Sequence, residues 1–292
     1  MSNFTFLTEE QIGGSNQIDV IKKRGRKAAV TDFSILLGAN VSDFHVDNDS
    51  SLEGRTGRYW TRSEDSYNNA YVVTEYGNRS YSYVHQRHGG ARPALPFSSI
   101  DRIPTNGESG KRARDGVLEV EYGYYPQSAV TRGLQQELER QFTSGRLTKT
   151  GNGYTTDSRK FNEDEEKFKA QRHEEYKYKG KRYIRVKANS CFDGRDFKLS
   201  NGESYSDGDQ VWVEVEPIKW LVSERDKLML AEKIIFAGVQ FKHEGDYHTE
   251  DFGKTDINKF INDWWARDIK QVIRSKRNWY WTRTWRRANT KN

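Results

Sequence analysis

The stretch 211–222, VWVEVEPIKWLV, constrains this chain more than any other. Its apolar residues recur with the two-residue period of a strand. Pro217 has no N–H to give to a ladder and marks a bulge or an edge within it. A chain organised around such a strand must bury a sheet face, and here it must do so with few aliphatic side chains. Leu, Ile, Val and Phe number 58 of 292 residues, close to the roughly one-fifth level below which disorder becomes the default. Against disorder stand 38 aromatic residues and a net charge of only +6 with both signs mixed. The expectation is a folded α+β chain with an aromatic-rich core and much loop.

Shorter signals fill in the order of elements. Residues 16–24 read as a short helix closed by Gly25, and Thr31 caps a second that stops at Gly38. From Arg58 to Phe97 the pattern turns to short strands, YWTRS, AYVVT and RSYSYV, the last two flanking a hairpin turn at Tyr76-Gly77-Asn78. Residues 104–116, polar and Gly-containing, read as a linker. A strand VLEVEYG follows, then Tyr125-Pro126-Gln127, then a helix from Ser128 to about Phe142, then a polar excursion over 143–173. Residues 175–187 alternate around Lys179-Gly180 as a hairpin. Thr255 caps a helix through 273 whose face of Ile257, Phe260, Ile261, Trp264, Trp265, Ile269, Val272 and Ile273 is read as core.

Several function classes fall away. No window holds 18 uncharged apolar residues, so no membrane-spanning helix is expected. The N-terminal MSNFTFLTEEQ has neither a basic start nor a long apolar run, so no secretion signal is expected, and the location is read as cytoplasmic or virion-associated. Cys191 stands alone, which removes an internal disulfide and any cysteine-based zinc site. His243-Glu244-x3-His248 is one residue too long for the helical zinc pattern. Asp47-Asn48-Asp49-Ser50-Ser51 lacks the glycine and glutamate of a calcium loop. His85-x2-His88 has no further ligand and reads as solvated, and Gly107-x2-Gly110-Lys111-Arg112 is too short for a phosphate loop. With no converging set of titratable groups, no metal, cofactor or catalytic residue is expected, and the chain is read as a non-enzyme.

The segment 58–88, RYWTRSEDSYNNAYVVTEYGNRSYSYVHQRH, is where the chain is distinctive. It holds six of the sixteen tyrosines, with Ser, Asn, His and Arg between them. Tyr offers broad amphipathic contact at low entropic cost, and Ser and Asn offer adaptable hydrogen bonds, as on a binding surface. A solvated β-hairpin with one apolar face has much the same composition. Trp60, Ala70, Val72 and Val73 are expected in the core, and Tyr71, Tyr76, Tyr81 and Tyr83 outside it. The candidate ligand-binding residues are Tyr59, Arg62, Ser63, Tyr67, Asn69, Tyr71, Tyr76, Asn78, Tyr81, Tyr83, His85 and His88. The ligand is expected to be macromolecular, a protein. Nucleic acid is considered only for the tail 274–292, which carries seven basic and no acidic residues, while the rest of the chain sums to −1. That tail also repeats, at 280–283, the Tyr-Trp-Thr-Arg of 59–62.

The segments Trp60-Thr61-Arg62-Ser63, Asn69-Ala70-Tyr71-Val72 and Gly90-Ala91-Arg92-Pro93-Ala94-Leu95 resemble the WWLRS…AYVV…GVRPAL string of a bacterial and phage domain family of unknown function. Glu121–Gln127 (EYGYYPQ), 215–222 (VEPIKWLV) and the TDINKFIN helix resemble that family's YPQ, EPIKW and SDIRKWLN segments. The resemblance implies a C-type-lectin-like fold, related in shape to the formylglycine-generating enzyme. That enzyme's chemistry needs paired thiols and does not carry over to a chain with Cys191 alone. The motif order differs, with WTRS…GARPAL here preceding YPQ…EPIKW, which implies a circularly permuted single domain over 1–273. Its halves would be 1–103 and 117–273, joined through 104–116. Some proteins of this fold are targets of diversity-generating retroelements, which turn Asn codons into Tyr, Ser, Asp, His, Gly or Thr. The resemblance therefore implies a variable ligand-binding face on a rigid scaffold. The alternative reading is a structural or regulatory module of a phage virion or a larger bacterial assembly.

Overall fold

The computed structural model describes residues 4–41, 55–66, 68–99, 103–107, 110–155, 171–189, 197–242, 251–267 and 269. Short helices open the chain: α1 (Glu9–Gly13), α2 (Asp19–Arg24) and α3 (Asp32–Leu36). The Thr8 side chain accepts from Gln11 N–H and that of Thr31 from Ser34 N–H, each satisfying a donor that a first helical turn leaves open. Gly25, at φ 77°, ends α2 in a conformation that costs a glycine little. Three strands follow, β1 (Tyr59–Ser66), β2 (Asn69–Val73) and β3 (Arg79–Tyr83), which form an antiparallel sheet in that order.

A second, eight-stranded antiparallel sheet is built from the remaining long strands. In chain order these are β4 (Ala94–Pro96), β5 (Lys111–Arg112), β6 (Leu118–Ala129), β7 (Thr148–Thr155), β8 (Gln171–Tyr178) and β9 (Lys181–Lys187). A small pair, β10 (Phe197–Lys198) with β11 (Ser204–Tyr205), stands apart, and β12 (Gln210–Ser223) and β13 (Leu228–Ala231) complete the large sheet. Helix α4 (Arg132–Thr143) lies between β6 and β7. The architecture is mixed α+β, dominated by antiparallel sheet.

β12 organises the large sheet. One edge runs along β6 from Val213 opposite Ala129 to Val222 opposite Leu118. The other edge is shared: Gln210–Glu214 pair with β9, and Trp220–Ser223 pair with β13. Pro217 falls between those two reaches, where the missing N–H breaks no ladder, and the register against β6 shifts between Pro217 and Lys219. The Gln127 amide donates to the carbonyls of Glu216 (3.2 Å) and Pro217 (2.8 Å), filling acceptors beside the irregularity.

Several elements differ in extent from what the sequence pattern gives. The strand expected to end before Tyr125-Pro126-Gln127 runs on through it as β6, Pro126 sitting at a register shift opposite Val215. Helix α4 therefore begins at Arg132, not Ser128. The polar region 143–173 contains β7 and the first residues of β8, a stretch whose sequence shows no apolar alternation. Their pairing rests on main-chain bonds and surface ion pairs such as Lys149–Glu174 (2.5 Å). The segment 104–116 is held against the body. Asn106 exchanges bonds with Glu121 and Gly123, β5 pairs with β6, and Arg24 bonds Asp115 and Glu119. The helix after Thr255 opens as Asp256–Lys259 (α5) and widens into a π turn over Phe260–Trp265, while the side chain of Trp264 and residues 270–273, Val272 and Ile273 among them, lie outside the described residues.

That widening keeps the aromatic side chains in the core. Phe236 meets Phe260 at 4.8 Å and Trp265 at 5.9 Å, and Phe4 meets Trp265 edge-on at 4.9 Å. Asn262 accepts from Phe4 N–H and donates to Phe4 C=O, both at 2.9 Å, tying the first described residue to the last element. The main core is one contiguous cluster that includes Trp60, Val72, Val73 and Leu95 together with Val211, Trp220, Ile257, Phe260 and Trp265. A satellite of Val130, Leu138, Tyr183 and Trp212 docks α4. There Glu139 takes both Arg185 (3.0 and 2.8 Å) and Trp212 Nε1 (2.9 Å).

Candidate functional site: the tyrosine face

The turn between β2 and β3 sets the register of the face. Gly77, at φ 81°, gives its N–H to Thr74 C=O, and Thr74 N–H bonds Asn78 C=O at 2.8 Å. Tyr71 then stands directly opposite Tyr81, and Asn69 opposite Tyr83. Period-two alternation sends Tyr81 and Tyr83 to one side, while Ser82 goes to the other and is buried. Tyr76 is 52% exposed, Tyr81 61% and Tyr83 54%, and these are the large hydrophobic side chains left exposed among the described residues. His85 stacks on Tyr83 with ring centres 5.7 Å apart and planes 13° from parallel. Tyr71 is half-buried, and its hydrogen bond to Asp65 raises the phenol's pKa.

The opposite side of this small sheet is fixed to the core. Trp60, Ala70, Val72 and Val84 are buried, with Trp60 packed on Phe241 at 5.5 Å. Lys242, only 2% exposed, pairs with Glu64 at 2.5 Å beneath β1. One end of the outer side is covered as well. Tyr59 gives its hydroxyl to Arg26 C=O (2.7 Å), and the Arg92 guanidinium lies 5.5 Å from the centre of its ring. Burial raises the Tyr59 pKa. Glu9, at the start of α1, bonds Arg79, and its own N–H goes to Ser63 Oγ (3.0 Å).

The structure thus sorts the candidate residues. Tyr76, Asn78, Tyr81 and Tyr83 are exposed; Asn69, Tyr71 and His85 are half-buried beside them. Tyr59 and His88 do not share this face: both are buried, and the solvated reading of His88 is corrected. Burial, with the nearby Arg58 charge, lowers His88 to a pKa of about 4. Ser63 is occupied as an anchor for α1. Arg62 is exposed but lines a different cleft, of about 570 Å³, with Lys22, Arg225 and Asp226. Tyr67 lies outside the described residues, as do Asp47–Ser51, Cys191, His243, His248 and the tail 274–292. Asp65 and Arg79 were not among the candidates. Asp65 meets Tyr71 only because β1 shifts register twice, at Trp60/Glu64 and Glu64/Ser66, and a sequence pattern carries no sign of such shifts.

Among the described residues no group of three or more His, Cys, Asp or Glu side chains is arranged to hold a metal, and no helix is long and apolar enough to cross a membrane. Comparison of the chain with protein-family models, with curated proteins and with solved structures gives no match. The functional reading therefore rests on the residues themselves.

Proposed function

We propose that this protein is a non-enzymatic binding protein that presents the tyrosine face to a macromolecular ligand, a protein, from a C-type-lectin-like scaffold. One observation carries the reading. Among the described residues the large hydrophobic side chains left in solvent are three tyrosines of a single hairpin, backed by a sheet whose other side is locked into the core. Isolated exposed aromatics are ordinary, whereas Tyr71, Tyr81, Tyr83 and His85 gathered beside Asn69 make a patch of the composition that recognition surfaces use. The proposed permuted order has support in the pairing of β4, from the GARPAL segment, with β13 beside the EPIKW strand β12.

The proposed diversification fits the same geometry, since Tyr, Ser, Asn and His at outward positions can change without touching the core. Sequencing sibling genes from one population tests it. Substitutions should gather at Asn69, Tyr71, Tyr76, Asn78, Tyr81, Tyr83 and His85, with Tyr59 and His88 constant. Substitutions spread evenly along the chain, or as frequent at Tyr59 as at Tyr81, would refute the diversified face.

A further inference from the structure

We propose that the free edge of β3 takes an extended polypeptide segment of the ligand as a fourth strand of the tyrosine sheet. This rests on the reading of the face as a binding surface and specifies how the ligand docks. β3 ends the order β1-β2-β3, so one of its two edges has no neighbouring strand among the described residues. The register decides which groups lie on that edge. Thr74 N–H bonds Asn78 C=O, and Val84 N–H bonds Asn68 C=O, both at 2.8 Å. Residues 78, 80, 82 and 84 therefore turn their main-chain groups toward β2, and Arg79, Tyr81 and Tyr83 turn theirs away. The Tyr83 carbonyl is taken by Gln86 N–H at 3.0 Å. The N–H and C=O of Arg79 and Tyr81 and the N–H of Tyr83 have no main-chain partner among the described residues.

These groups repeat every second residue, about 6.8 Å apart along a strand. Another polypeptide in extended form carries donors and acceptors at that spacing, and a glycan or a nucleic acid does not. Such strand addition draws affinity from the main chain and specificity from alternate side chains. The side chains that would flank an incoming strand on the outer side are Arg79, Tyr81 and Tyr83, and Glu9 already neutralises Arg79. Cross-strand packing beside Tyr81 and Tyr83 favours aromatic or β-branched residues at every second ligand position. Edge strands of soluble proteins are usually blunted by charge, proline or cover. Here the exposed positions 81 and 83 are tyrosines, and Arg79 is held back by α1.

The test uses the full chain and a random twelve-residue peptide display library, the strongest selected peptide being synthesised as the probe. In the free protein, amide exchange should be fast at Arg79, Tyr81 and Tyr83 and slow at Ser80, Ser82 and Val84. Bound peptide should slow exchange at Tyr81 and Tyr83 at least tenfold. Tyr81→Ala keeps the outward N–H and Tyr81→Pro removes it, so the proline variant should bind at least tenfold more weakly than the alanine variant. Peptides N-methylated at alternate residues need no protein variant: methylation in one phase should abolish binding and in the other spare it. A peptide that binds with Tyr81 and Tyr83 exchange unchanged, and with both methylation phases tolerated, would overturn strand addition while leaving side-chain binding by the face intact. Failure to select any peptide, or β3 protection that rises with protein concentration alone, would overturn it too, the latter by showing a second copy on the edge.

Discussion

His173 gives the fold a built-in sensitivity to mild acid. It lies buried on β8, edge-on to Phe33 at 6.3 Å, and neither ring nitrogen has a hydrogen-bond partner among the described residues. Burial lowers its pKa to about 4, against about 6.5 in an unfolded chain. Between those values the unfolded state binds a proton that the folded state refuses. The contribution to stability is therefore complete above pH 6.5 and is lost as pH falls toward 4. A difference of that size is worth about 2.5 kcal/mol by pH 4.5, a large part of a typical net stability of about 5–15 kcal/mol. His173→Leu removes the titration and two unpartnered nitrogens together. The variant should be at least as stable as the parent at pH 7.5, because an unpaired buried polar group costs about 1–3 kcal/mol. Urea unfolding followed by tryptophan fluorescence at pH 7.5, 6, 5 and 4.5 reads both effects. The parent should lose about 2.5 kcal/mol more than the variant over that range. Parallel curves would refute the reasoning, since His88 and the carboxylates titrate alike in both proteins.

Three other outcomes follow from the packing. A methyl group on Gly90 would collide with Ile234 and stand 3.1 Å from the Arg58 carbonyl oxygen, so Gly90→Ala should cost at least about 2 kcal/mol in the same unfolding assay. Lys242→Met leaves the half-buried Glu64 without its cation and should cost about 3 kcal/mol, much of which the added change Glu64→Leu should restore. A fragment of residues 1–105 lacks the partners of Val30, Ala91 and Leu95, which are Ile234, Phe236 and Met229, and should give a collapsed, undispersed amide spectrum. Sharp dispersed peaks would show that the first half folds alone.

What could be read from the sequence was local. The hairpin turns at Gly77 and at Lys179-Gly180, the caps at Thr31 and Thr255, and the break at Pro217 are each set by a few neighbouring residues, and each stands where the pattern puts it. The outward Tyr76, Tyr81 and Tyr83 follow from the same turn. What could not be read depends on distant partners. Tyr59 has the same residue type as Tyr81 but is covered by Arg26 and Arg92, and nothing near position 59 announces either. β7 and the first residues of β8 are stabilised by pairing with each other, so polar composition conceals them, whereas β8 from Glu175 on shows in the alternation around Lys179-Gly180. The π turn answers to Phe4 and Phe236, residues far from it in the chain. Thus the exposed part of the face was legible, and its limits, set by α1 and by the buried Tyr59 and His88, were not.

The central claim is that the tyrosines serve contact with a ligand while the scaffold beneath them holds the fold. Replacing Tyr76, Tyr81 and Tyr83 together by Thr, which keeps strand preference, and measuring unfolding free energy tests that division directly. Exposed positions change stability by about 0.5 kcal/mol each, so the triple variant should stay within about 1.5 kcal/mol of the parent with an unchanged denaturant slope. A loss of several kcal/mol, comparable to removing a buried aromatic such as Trp60, would mean that the tyrosines are part of the core and would contradict the account.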